Sequence, residues 1–308
     1  MEAVSPITLV YMLWKFQHVR DYQVQMNDMS LSNTSIPFAS SSAFLTLLFV
    51  LHYINRAVVA PFLRAPSMSP IHLLVVIMAV LFNFVNASCL AGWLVGYDIV
   101  PVVYTRGFGY DSANRGRHSS GLLQCIGILL FFVGLFGNIY SEKCLFGLRV
   151  QEGDKRAAAA AAKKGTQNNE QNHENEHKDK SENKYHKVYV IPPPHGPFRS
   201  ILYPHYVFEW LEWLGFSLLG TAIIPSSRGA AGGENLTIHL SLVPWLIPFA
   251  ILAGKLNLPL PLPPLLFLVN AVANMLPHAR WGRKWYVDRF GERAVAGRGA
   301  VVPWCKWL

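Results

Sequence analysis

Cysteine is scarce in this chain. Cys89, Cys125, Cys144 and Cys305 are spread through 308 residues with no C-x-x-C pair among them. That spacing excludes a disulfide framework and a zinc-ribbon or thioredoxin-like motif, and leaves buried or interfacial thiols. Charge is thin as well: 15% of residues are charged against 52% hydrophobic, too apolar for a soluble domain of this size. No G-x-G-x-x-G follows a strand-like run, which excludes a Rossmann dinucleotide fold. The first 14 residues are apolar but carry no basic n-region. They do not read as a signal peptide, and they are too short to cross a bilayer alone.

Long apolar runs dominate instead. Residues 41–63, 71–96, 121–141, 207–225 and 257–276 each suffice to span roughly 30 Å of hydrocarbon at a helical rise of about 1.5 Å per residue. A further run, 238–253, contains Pro244 and Pro248 and is expected to be a broken or re-entrant piece that does not cross. The fold class is therefore an all-α membrane protein, a multi-span helical bundle.

The net charge of +9 is unevenly spread. Residues 142–206 hold eleven Lys/Arg against eight Asp/Glu, and 278–308 hold seven against two. The positive-inside rule places both segments in the cytosol, and the Asn235-Leu-Thr237 sequon in the lumen. Basic residues beside membrane spans do not describe a nucleic-acid partner. Phosphates of a cofactor or of lipids fit them better.

Residues 151–187 are of another kind. The six-alanine run Ala157–Ala162 precedes a polar stretch almost free of apolar residues, which cannot bury enough surface to fold. This cytosolic insert is expected to be disordered beyond a short alanine helix. It contains a literal H-E-x-x-H at His173–His177, but without the buried helix that would aim both imidazoles at one zinc, so no metal site is assigned. Three regions result: 1–150, membrane helices forming the substrate side; 151–187, the insert; and 188–308, membrane helices with a cofactor-binding tail.

Polar residues inside the apolar runs carry the chemistry. Glu209 and Glu212 are three apart in PHYVFEWLEWLGFSLLG and share a helix face with His205. A charge at membrane depth costs at least about 2.5–3.5 kcal/mol, so such groups face a polar cavity, bind something or react. The alternative is a structural knot of hydrogen bonds between helices. Asn138 and Glu142 share a face at the exit of the third long run, with Arg149 two turns on. Asn and Glu suit ribose hydroxyls or amides and Arg suits phosphate, against plain interfacial snorkelling. Prolines after Tyr189 impose an extended loop suited to a cleft wall. The tail interleaves His278, Arg280, Arg283, Lys284, Tyr286 and Arg298 with aromatics, which fits either a headgroup belt or a bound dinucleotide.

In this order the motifs resemble the membrane steroid 5-alpha-reductase family. His52-Tyr53 with Arg56 and Pro61 is similar to its HY-x-x-R helix, and Gly137–Glu142 with Arg149 to its N-I-x-S-D segment. Tyr189-Val-Ile-Pro192 resembles its Y-x-I-P loop, and Pro204–Gly215 its E-x-x-E-W-x-G helix. Lys284-Trp285-Tyr286, Phe290, Arg298 and Pro303 follow its K-W-Y ending.

The resemblance implies a multi-pass endoplasmic-reticulum enzyme of the family's seven-helix fold, an oxidoreductase acting on CH–CH groups. It would use NADPH to reduce the 4,5 double bond of a 3-oxo steroid or sterol-like lipid in the bilayer, without metal. By the same matching, Glu2 would hydrogen-bond the ketone, which requires a protonated carboxyl, with Trp93 as its partner position. Asn138, Glu142, Arg149, Tyr189, His205, Glu209, Arg280, Tyr286 and Arg298 would bind the cofactor. Glu212 and Trp213 would support the helix pair. His205 stands where the family has Asn, Glu142 where it has Asp, and Arg283 where it has His. Aligning Met1-Glu2 in this way leaves the family's first helix, and half its second, outside the chain. Alternatives on the same fold are an enoyl-CoA reductase and a polyprenol reductase. A catalytically silent membrane protein that binds lipid or cofactor is a further one.

Overall fold

Sustained apolar composition and good helix formers make this an all-α membrane protein. The computed structural model describes residues 1–27, 36–68, 70–95, 98–101, 121–167, 183–223, 237–240 and 262–305. Its helices are α1 (Val4–Asn27), α2 (Ile36–Ile54), α3 (Leu73–Leu94), α4 (Gly121–Gln167), α5 (Pro204–Ile223), α6 (Leu262–Phe290) and the short α7 (Glu292–Val295). A ten-residue π-helix, Asn55–Arg64, continues α2 through Pro61, and one 3-10 turn covers Gly196–Phe198. Strands β1 (Asp98–Pro101) and β2 (Thr237–Leu240) pair in parallel, Asp98 opposite Thr237. This small ladder was not foreseen.

Among the described residues three helical stretches are long and apolar enough to cross a membrane: Ser41–Arg64, Leu73–Leu94 and Gly121–Ala162. They coincide with the first three expected spans. The described residues of the fourth and fifth are helical too, in α5 and α6, and on α5 His205, Glu209 and Glu212 dilute the apolar character. Two elements outrun the sequence reading. α4 continues 26 residues beyond the expected end at 141, because 142–167 is rich in alanine and long straight-chain residues that favour helix. At about 1.5 Å per residue its 47 residues measure roughly 70 Å, more than twice a hydrocarbon core. α6 runs through Pro277 to Phe290, so half of the expected tail is helix. Asn235 and Leu236 of the sequon, the H-E-x-x-H stretch and 241–253 lie outside the described residues.

The chain forms two compact units. The first comprises Met1–Ala57, Leu74–Leu135 and Glu209–Val272. Its core is aromatic: Phe49 lies 4.7 Å from Tyr53 and 5.7 Å from Trp213, and Trp213 meets Phe267 at 4.4 Å (ring centroids). α4 and α5 touch backbone to backbone in this unit. A Cβ on Gly134 would collide with the backbone of Glu212, one on Gly127 with Leu219, and one on Gly215 with Phe131. Small residues allow this approach, which membrane helices use in place of a hydrophobic driving force.

The second unit comprises Val58–Leu73, Phe136–Phe208 and Ala273–Leu308. The amides of Leu202 and Tyr203 donate to the carbonyls of Gly299 and Ala300, each at 3.0 Å, fixing the chain as it enters α5. Gly282 on α6 leaves room for the Tyr203 hydroxyl, which would collide with any Cβ there. At the end of the insert, residues 183–185 fasten to the part of α4 that opens it. Lys184 Nζ lies 2.8 Å from Asp154 Oδ1, Tyr185 Oη donates to the same oxygen at 3.2 Å, and the Tyr185 ring covers Gly153. Asn183 Nδ2 donates to the Pro66 carbonyl at 3.0 Å. Hydrogen bonding to Asp154 raises the pKa of Lys184 to about 12.

All four cysteines are free, and Cys89 and Cys125 are exposed on their helices instead of buried. Both sit in apolar helices, so an exposed thiol there meets lipid.

Candidate functional site

In the first unit the two carboxylates of α5 meet His52 near the end of α2 and Arg56 in the π-helix that continues it. His52 Nδ1 and Glu212 Oε1 are 2.9 Å apart, and Arg56 Nη1 lies 3.6 Å from Glu209 Oε2. The earlier residue of each helix pairs with the later one of the other, so the helices run antiparallel here. His52 and Arg56 are one helical turn apart, as are Glu209 and Glu212, so two matched pairs form in register. Both carboxylates and the imidazole are buried. The shared face expected for Glu209 and Glu212 is thus present, and its partners are two residues to which the sequence reading gave no role.

Tyr53 follows His52 directly. Its hydroxyl faces Ser5 on α1, and Glu2, Glu209 and Arg56 lie within electrostatic reach of it. Tyr53 is 3% exposed and Ser5 is fully buried. The Ser5 hydroxyl makes no hydrogen bond of standard geometry to the described residues. Glu2 sits half-buried in the turn before α1, beside the Met1 carbonyl that accepts from Asn83 Nδ2 at 3.4 Å. The α1 start, Tyr53 and α3 therefore bring hydroxyl, carboxyl and amide groups together. Trp93, in the last turn of α3, is buried with its indole over Gly220 of α5, where a Cβ would collide with the ring.

In the second unit Asn138 Nδ2 donates to the His205 carbonyl at 3.0 Å. Both residues are buried, as is Glu142 one turn along α4. His205 packs on Tyr206 (4.4 Å between centroids), and Tyr203 stacks on Tyr206 at 5.6 Å. Arg149, half-buried, donates through Nε to the Val188 carbonyl at 3.2 Å, pinning the loop that leads to Tyr189. Tyr286 Oη donates to the Val190 carbonyl at 3.3 Å, so α6 holds the same loop from its own side. Burial raises the Tyr286 phenol above its usual value, with Arg149 and Arg298 close enough to oppose this. Tyr189 is 41% exposed and lies 4.8 Å from Trp285.

Arg298 differs from the other cations. It is 2% exposed, and its guanidinium donates to the carbonyls of Val295 (2.9 Å), Pro192 (2.8 Å), Phe198 (3.1 Å) and Ala294 (3.3 Å). Burial depresses its pKa. Arg283 Nε in turn donates to the Arg298 carbonyl at 2.8 Å. These arginines gather the 192–198 loop and the 294–298 turn. Arg280 is exposed on α6.

The nine sequence-derived cofactor residues thus divide. Asn138, Glu142, Arg149, Tyr189, His205, Arg280, Tyr286 and Arg298 belong to the second unit, while Glu209 lies in the first with Glu2 and Trp93. Tyr53, Ser5 and Asn83 were not singled out from sequence. Tyr53 was visible only as the middle of the HY-x-x-R run, and a lone Ser or Asn in an apolar helix gives no signal until a neighbour faces it. Among the described residues no group of three or more His, Cys, Asp or Glu could hold a metal ion.

No protein-family model matches the chain. It is 27% identical over 304 residues to the uncharacterized protein C9.08c of Schizosaccharomyces pombe, covering 98% of this chain and 81% of that protein. It is 24% identical over 258 residues to Steroid 5-alpha-reductase DET2 of Solanum lycopersicum, covering 83% of the chain and 66% of the reductase. Steroid 5-alpha-reductase DET2 of Gossypium hirsutum gives 23% over 258 residues, 83% of the chain and 67% of that protein. The chain spans about two thirds of the length of the reductases it matches. It is an all-α membrane protein with distant similarity to steroid 5-alpha-reductases, and that similarity points to an oxidoreductase.

Proposed function

We propose that the protein is an NADPH-dependent reductase of a conjugated carbon–carbon double bond, the 4,5 bond of a 3-oxo steroid or sterol-like lipid, in the endoplasmic-reticulum membrane. The observation that carries this reading is the buried Tyr53 hydroxyl with Glu2 and Ser5 around it. A flat, greasy ketone needs an apolar enclosure with a few hydrogen-bond donors at one end. Reduction at the β carbon drives negative charge onto the carbonyl oxygen, and preorganised donors in a dry site stabilise that charge. Tyr53 supplies an O–H, and Glu2 supplies a second when protonated. Asn83 holds the start of the chain through the Met1 carbonyl, Ser5 lies beside the phenol, and Trp93 forms a flat wall.

The donor set of the second unit fits a dinucleotide phosphate. Arg149 and Arg280 offer guanidinium groups for phosphate, Tyr189 and Tyr286 offer rings and hydroxyls, and Asn138, Glu142 and His205 offer amide, carboxylate and imidazole groups. Arg298 serves as a positioning residue, since its donors are spent on four carbonyls. Glu209, the ninth of these residues, belongs to the first unit, where Arg56 Nη1 lies 3.6 Å from its Oε2. When bound, the nicotinamide supplies the hydride. The distant similarity to steroid 5-alpha-reductases over 83% of the chain supports the reaction class.

The test is enone absorbance in membranes containing the protein, with products identified over a panel of 3-oxo steroids. NADPH-dependent loss of the enone that disappears in Glu2→Ala and Tyr53→Phe supports the reading. Bound lipid without turnover, unchanged by Arg149→Ala, overturns it.

A further inference from the structure

The last turns of α6 have two unlike faces. One carries Ala279, Gly282, Arg283 and Tyr286 and packs into the second unit: Ala279 is fully buried, Gly282 receives Tyr203, and Tyr286 bonds the Val190 carbonyl. The other face carries Trp281, Lys284, Trp285, Asp288 and Arg289. Trp281 is 71% exposed and Trp285 37%, and Lys284 and Arg289 are exposed as well. The Arg289 guanidinium lies 5.6 Å over the Trp285 ring. Among the described residues neither Lys284 nor Arg289 makes an ion pair, whereas the inward Arg283 has Glu292 at 3.5 Å.

We propose that this outward face binds the headgroups of anionic phospholipids. Three observations favour that partner. The same helix begins with the apolar turns 262–276, so the face follows directly on a segment fit for hydrocarbon. Tryptophans at the end of an apolar helix sit at headgroup depth, where the ring is apolar and its N–H is satisfied. Lys284 and Arg289 outnumber Asp288, and a cation near an anionic surface is worth about 1 kcal/mol each. The proposal is independent of the reductase reading. It uses Lys284 and Arg289, and leaves Arg280 to the cofactor.

The experiment is retention of lipid by the full chain. Protein reconstituted with equal phosphatidylcholine and phosphatidylglycerol is released into detergent and weighed intact by native mass spectrometry. The wild type should keep phosphatidylglycerol preferentially. Lys284→Gln/Arg289→Gln should lower that preference on the order of ten-fold, as should about 0.5 M salt. Arg156→Gln, an exposed change on α4, should leave it intact. NADPH should not displace the lipid, which separates a headgroup surface from a nucleotide phosphate site. Equal retention of both lipids overturns the proposal. So does a preference that survives the double variant, or displacement by NADPH. All three substituted side chains are outward, and unchanged unfolding temperatures confirm that the variants fold.

Discussion

His52 Nδ1 and Glu212 Oε1 lie 2.9 Å apart with the carboxylate wholly withdrawn from the surface. Among the described residues the other oxygen of Glu212 has no hydrogen-bond partner. Removing one member of such a pair leaves an uncompensated buried polar group. His52→Ala should therefore destabilise the protein by about 3–5 kcal/mol, read as a lower unfolding temperature in detergent. Glu212→Gln, which keeps a hydrogen-bonding side chain, should cost clearly less. Equal losses for the two variants would mean that packing, not polarity, dominates here.

The close contact of α4 with α5 makes a second expectation. Gly134→Leu places a branched side chain where the Glu212 backbone already lies. Overpacking of this kind costs about 1–3 kcal/mol where neighbours can shift, and more where the obstacle is backbone. Folded yield on size-exclusion chromatography should fall sharply. Gly147→Leu, where a Cβ meets nothing within 4 Å, should be tolerated.

Tyr53→Phe removes one hydroxyl from a buried site and leaves the ring packed against Phe49. Loss of one donor to a developing oxyanion lowers kcat by roughly 10²–10³ fold. Steady-state kinetics should show that drop with little change in KM for the enone. Arg149→Ala should instead raise KM for NADPH. A Tyr53→Phe variant with full kcat would remove the phenol from the reaction.

Alkaline stability reports on the second unit. Burial, with Tyr286 and Tyr206 nearby, raises Tyr203 well above the usual 10.0, and burial raises Tyr286 as well. The folded state therefore holds these protons more tightly than the unfolded chain. Their contribution is complete below pH 10 and is lost as pH climbs above it. Unfolding temperature against pH should slope downward from about pH 10, and Tyr203→Phe should flatten that slope.

Much of this was legible in the residues. Apolar runs marked the membrane helices, and the three-residue spacing of Glu209 and Glu212 put both on one face before any partner was known. Their partners were not legible, because pairing His52 with Glu212 joins residues 160 positions apart. Tyr53 gives no local signal for the same reason: its neighbours Glu2 and Ser5 come from the start of the chain. Trp93 stands out through a local motif, and the structure lays its ring over Gly220. Arg298 drew attention as a tail cation, whereas burial turned its donors to carbonyls between residues 192 and 295. The ends of α4 and α6 were set too early, since an alanine run can prolong a membrane helix into water and Pro277 did not stop α6.

Where Lys184 and Tyr185 grip Asp154, the polypeptide returns to the helix it left. Tyr185 and Asp154 stand 31 positions apart in sequence, and the entropy of holding two such points together grows only logarithmically with their separation. The clasp therefore fixes where the chain rejoins α4, and Lys184→Ala with Tyr185→Phe would loosen that one anchor.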